Sequence, residues 1–64
     1  MVRMYNVTNK ESGLKYKLRV SPSADMAYVT DGGDIIWSTD RNADETFTEF
    51  IIRAMGMLRN DEDM

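Results

Sequence analysis

Residues 14–20, Leu14-Lys15-Tyr16-Lys17-Leu18-Arg19-Val20, decide how this chain folds. Apolar and cationic side chains alternate through all seven positions, and successive side chains of an extended strand point to opposite faces. The segment therefore reads as a half-buried β-strand. Leu14, Tyr16, Leu18 and Val20 face a core, and Lys15, Lys17 and Arg19 line the opposite face.

Working outward, residues 2–8 form a second, weaker strand. The segment Asn9-Lys10-Glu11-Ser12-Gly13 that follows has the length and the late glycine of a hairpin loop. Downstream, Ser21-Pro22-Ser23-Ala24-Asp25 reads as a loop, because Pro22 cannot donate to a strand ladder and the small polar residues suit a turn. Two more strands are expected at residues 26–30 and 34–38. Between them Asp31-Gly32-Gly33 supplies the positive-φ positions of a tight reversal. Ile35-Ile36-Trp37 is rich in strand formers but does not alternate, so the two isoleucines cannot both face the core.

The last third switches period. Phe47, Phe50, Ile51, Ala54, Met55 and Leu58 recur at helical spacing, predicting an amphipathic helix over about 43–59. Asn42 with Glu45 is a candidate capping box, and Glu49 with Arg53 a candidate i,i+4 ion pair in the favourable order. Residues 60–64 read as an acidic tail. The order ββββα predicts an α+β fold in one domain, residues 1–64: a four-stranded antiparallel meander with the C-terminal helix on one face. A small, partly open β-barrel capped by the helix is the alternative.

At 64 residues, 42% of them hydrophobic, the chain is globular in composition yet buries only about 60% of the surface its unfolded form exposes. It contains no Cys and no His. Disulfides, the common zinc sites and Ser–His–Asp or Cys–His catalysis are therefore excluded, and a non-catalytic protein without cofactor is expected. Asp31 and Asp34 do not have the spacing of a calcium loop, so no metal is expected. No stretch approaches the ~18 apolar residues of a transmembrane helix. Met1–Asn6 lack the apolar run of a signal peptide, and the expected location is cytoplasmic.

Net charge is −3, but it is unevenly placed. Residues 1–20 hold five basic side chains against Glu11, and residues 21–64 hold three against ten carboxylates. Two functional expectations follow. The first is a small protein–protein interaction module, of phage-type or accessory-factor size, acting as a stoichiometric modulator or inhibitor. It would present the carboxylates Asp31, Asp34, Asp40, Asp44 and Glu45 to a nucleic-acid-handling protein, with Trp37 and Ile52 as apolar contacts. The alternative is a nucleic-acid-binding domain that sets Lys15, Lys17 and Arg19 on phosphates, with Tyr28 or Trp37 stacking on bases. Ile52 lies off the main helical stripe and Met57 at its margin, on faces that one small core does not cover. A homodimer is the expected way to cover them.

Overall fold

The alternation of residues 15–20 is realised as strand β2 (Lys15–Ser21), flanked by β1 (Arg3–Thr8) and β3 (Met26–Asp31), whereas Leu14, expected to face the core, precedes the strand and is exposed. Strand β4 (Asp34–Asp40) and helix α1 (Phe47–Asn60) complete the order ββββα. The computed structural model describes residues 1–60, so the expected acidic tail, apart from Asn60 at the end of α1, lies outside the described residues. The four strands form one antiparallel sheet in sequence order. It is open: β1 and β4 are its edges and do not pair, so the barrel alternative is set aside in favour of the meander with a helix.

The turns follow their residues. Asp31 pairs with Asp34 across Gly32 and Gly33, whose φ values of 61° and 91° are those of a two-residue type I′ reversal. Asp25 also takes a positive φ, 50°, at the end of the Pro22–Asp25 turn. Aspartate is one of the few non-glycine residues that enter that region. Here its carboxylate holds the Arg41 guanidinium at 2.9 Å while its carbonyl accepts the Arg41 N–H at 2.8 Å.

The core lies on one face of the sheet. Val7, Leu18, Val20, Ala27 and Val29 meet Phe50, Ala54 and Leu58 of α1, with Tyr5, Tyr16, Trp37, Phe47, Ile51 and Met55 packed around them. The helix lies chiefly over β1 and β2. Phe47, Phe50, Ile51, Ala54, Met55 and Leu58 are thus the stripe that the 3.6-residue period selects.

The ambiguous triplet is resolved by a β-bulge. Val29 pairs with Trp37 but Thr30 pairs with Ile35, so Ile36 has no opposite residue and the strands shift register between Val29 and Thr30. One extra residue restores the alternation, placing Trp37 on the core face and Ile35 on the other. Both isoleucines remain more than half exposed. Strand β4 also extends past Ser38, because Thr39 and Asp40 keep pairing with Ala27 and Met26.

Two sequence expectations for the helix are corrected. It begins at Phe47, not near residue 43, and the capping box is Thr46-Phe47-Thr48-Glu49. The Glu49 N–H donates to Thr46 Oγ1 at 3.1 Å and the Thr46 N–H to Glu49 Oε1 at 2.8 Å. Asn42 and Glu45 make a separate turn, the Glu45 N–H donating to the Asn42 carbonyl at 3.1 Å. The Glu45 carbonyl accepts from Arg41 Nη1 at 2.6 Å, which turns it away from helical bonding. The expected Glu49–Arg53 pair is likewise replaced: Glu49 serves the cap, and Arg53 pairs with Glu45. Thr46→Ala is expected to cost about 1 kcal/mol of stability, measured by urea unfolding; an unchanged midpoint would contradict this cap.

Candidate functional site

The helix covers one side of the sheet, and the other side has no covering element among the described residues. The register defines what stands there. Met4, Arg19, Tyr28 and Ser38 form one cross-strand row, since Met4 pairs with Arg19, Arg19 with Tyr28 and Tyr28 with Ser38. Asn6 stands opposite Lys17 and Thr8 opposite Lys15. Residues directly opposite in an antiparallel pair sit about 4.5–5.5 Å apart, and alternate residues along a strand about 6–7 Å apart. Lys15, Lys17 and Arg19 are therefore a cationic stripe about 13 Å long, with Tyr28 beside its Arg19 end.

Lys15 and Lys17 are exposed, whereas Arg19 and Tyr28 are half-buried against their neighbours. Two ion pairs occur among the described residues, Arg41–Asp25 and Arg53–Glu45, and neither engages this stripe. Its three positive charges have no carboxylate partner among the described residues. Tyr28 thus joins the basic residues named with it from the sequence. Trp37, the other stacking candidate, does not, because the bulge turns it to the core face beside Val29.

The carboxylates are arranged differently. Asp31 and Asp34 flank the β3–β4 turn, whereas Asp40 closes the far end of β4 and Asp44 follows it. Six residue steps of strand separate Asp34 from Asp40, about 20 Å. The acidic residues thus stand as two groups at opposite ends of β4. Glu45 is committed internally: its side chain is only 11% exposed, and it accepts Arg53 Nε at 2.7 Å and Arg53 Nη2 at 3.0 Å as a two-pronged pair. It also accepts the Asn42 N–H at 3.1 Å.

Arg53 continues from Glu45 to the Asp40 carbonyl at 2.8 Å and Thr39 Oγ1 at 3.2 Å. Its guanidinium also lies 5.5 Å from the centre of the Phe50 ring. This cluster ties α1 to the end of β4. Ile52 projects from the outer side of α1, 65% exposed.

The hydrogen bond from Arg53, then that from the Asn42 N–H and the Arg53 and Arg41 charges, hold the Glu45 carboxyl below its ordinary value against the opposing effect of desolvation. A carboxyl depressed on folding stabilises the fold above its unfolded value of about 4.3 and loses that contribution as pH falls through the folded value. Glu45→Gln is therefore expected to lose less stability than the parent on acidification below about pH 4.3, followed as the urea midpoint against pH. Parallel curves would contradict the role given to this pair.

Asn9 went unnoticed in the sequence. It is 2% exposed, the one buried polar residue among those described. Its Nδ2 donates to the Leu58 carbonyl at 2.8 Å, and its Oδ1 accepts from the Glu11 and Ser12 N–H groups and the Ser12 hydroxyl at 2.9–3.1 Å. Beside it the Lys10 N–H donates to the Arg59 carbonyl at 2.7 Å. The β1–β2 loop thereby satisfies carbonyls that a helix C-terminus leaves without partners. The role is structural, and it fixes the hairpin that carries the cationic stripe.

Comparison with models of known protein families, with curated proteins and with solved structures finds no match for this chain. Among the described residues, no group of three or more acidic side chains is placed to hold a metal ion, and no helix is long and apolar enough to cross a membrane.

Proposed function

We propose that this protein is a non-catalytic nucleic-acid-binding module that uses the uncovered face of its sheet. One observation carries the reading: Lys15, Lys17 and Arg19 project from one strand face with no ion pair among the described residues, and Tyr28 stands directly across from Arg19 on that same face. Cations spaced about 6–7 Å apart along β2 suit successive phosphates of an extended strand, and a tyrosine ring beside them offers a base a stacking surface. The face belongs to a sheet braced by α1 from behind, so the stripe is presented on a rigid support.

The protein-docking reading, built on Asp31, Asp34, Asp40, Asp44 and Glu45 with Trp37 and Ile52, is the less well supported of the two. Its carboxylates stand at two ends of a strand, Glu45 is consumed by Arg53, and Trp37 packs beside the core. The net charge of −3 opposes long-range attraction of a polyanion, so binding is expected to be modest and confined to low salt.

Fluorescence anisotropy of a labelled oligonucleotide, titrated at several salt concentrations, tests the reading. Three phosphate contacts on a single strand predict a slope of log K against log salt of about −2. Absence of binding at ~50 mM salt would overturn it.

A further inference from the structure

The sheet is not evenly paired. Strands β1 and β2 pair over six residues each, as do β3 and β4, but β2 and β3 pair only where Arg19–Ser21 meet Met26–Tyr28. Beyond Arg19 and Tyr28 the two hairpins part. The parting coincides with the bulge that shifts register between Val29 and Thr30. A bulge bends its strand and raises the local twist; here the extra residue is Ile36 of β4, at the level where β3 stops pairing with the Lys15–Leu18 half of β2. The result is a cleft of about 520 Å³ between the hairpins.

The lining of this cleft is of two kinds. Leu14, Tyr16 and Ile36 give it an apolar and aromatic surface, while Lys15, Lys17 and Arg19 bring three positive charges against the one carboxylate of Asp31. A wholly apolar guest would strand those cations, and a small inorganic anion would leave the apolar surface exposed. A flat, largely apolar ring carried on an anionic backbone satisfies both.

We propose that the cleft is a nucleobase pocket, which makes the protein selective for single-stranded nucleic acid. The inference rests on the sheet-face reading and extends it. One base leaves the strand, passes between the hairpins and stacks beside Ile36 on Tyr16, which lies on the helix side of β2. Its flanking phosphates stay on the Lys15–Arg19 stripe of the uncovered side. A base within a duplex is stacked on both sides and paired at its edge, so it enters only after being flipped out at a cost of a few kcal/mol. A single strand avoids that cost. Ribose and deoxyribose strands share the base and phosphate chemistry used here, so both are taken.

The test compares the affinities of a DNA strand of about 16 nucleotides, the RNA of the same sequence, and the corresponding DNA duplex at one low salt concentration. The wild-type protein is expected to bind each single strand about tenfold more tightly than the duplex. Ile36→Ser, at an exposed position, and Tyr16→Leu, which keeps apolar bulk without the ring, are each expected to reduce single-strand affinity by about tenfold. Neither change is expected to alter the salt slope or weaken duplex binding, since the phosphate contacts remain. Equal binding of strand and duplex by the wild type, or wild-type affinity in the folded variants, overturns the pocket and leaves the sheet-face reading standing. Binding of none of the three probes removes the sheet-face reading, and the pocket with it.

Discussion

Asn9→Ala is expected to lower the stability of the fold by about 3 kcal/mol, read from urea unfolding by circular dichroism. The substitution deletes four hydrogen bonds centred on one buried amide. The Glu11 and Ser12 groups are close enough to solvent to find water. The Leu58 carbonyl is not, because its bond with Asn9 is buried, and an unsatisfied buried acceptor alone costs about 1–3 kcal/mol. A domain of this length has a total stability of roughly 3–10 kcal/mol, so the loss is a large share of the whole. Asn9→Asp separates the two ends of the amide. It retains an acceptor for the loop but removes the donor to Leu58 and places a carboxylate by the negative end of the helix dipole. It is therefore expected to be destabilised as well. An Asn9→Ala midpoint equal to that of the wild type would show that the loop and the helix end do not depend on each other as described.

The second large effect is on binding. Simultaneous Lys15→Glu, Lys17→Glu and Arg19→Glu substitution is expected to weaken single-strand affinity at least a hundredfold at ~50 mM salt, where the wild type binds. Each change removes a phosphate contact and adds a repulsive charge at the same place. Stability should change little, because none of the three makes an ion pair among the described residues. Lys10→Glu reverses one charge in the β1–β2 loop, off the stripe, and has the same net charge as the single variant Lys17→Glu. It is expected to retain most of the binding. If Lys10→Glu were as damaging as Lys17→Glu, total charge and not the sheet face would govern the interaction.

Local features of the chain were legible because local physics determines them. The alternation of residues 14–20 needs only the two-residue period of a strand. Asp31-Gly32-Gly33 needs only the steric freedom of glycine, and the Phe47–Leu58 stripe only the helical period. Features set by distant partners were not legible. The side chain of Asn9 bonds to a carbonyl 49 residues away, and within the sequence it looks like one polar residue in a polar loop.

The helix start shows how a tertiary contact decides between equal local choices. Asn42/Glu45 and Thr46/Glu49 have the same capping-box spacing. Arg53 draws Glu45 into a pair that spans eight residues and leaves the cap to Thr46 and Glu49. The bulge at Ile36 is an intermediate case. Two consecutive isoleucines showed that the alternation had to break, but only the pairing with β3 showed where, and so assigned Trp37 to the core face. For the candidate site, the cations were read from the strand itself, whereas the choice of Tyr28 over Trp37 required the register.

The most direct test of the sheet-face account is an amide proton–nitrogen correlation spectrum recorded while a single-stranded oligonucleotide is added at low salt. The account predicts shifts concentrated on Lys15–Arg19, Tyr28 and their cross-strand neighbours Met4, Asn6 and Ser38, with the Asp44–Glu49 segment and the outer side of α1 unmoved. Shifts centred on Asp40 and Asp44 or on the helix, or a spectrum that does not change at all, would contradict it.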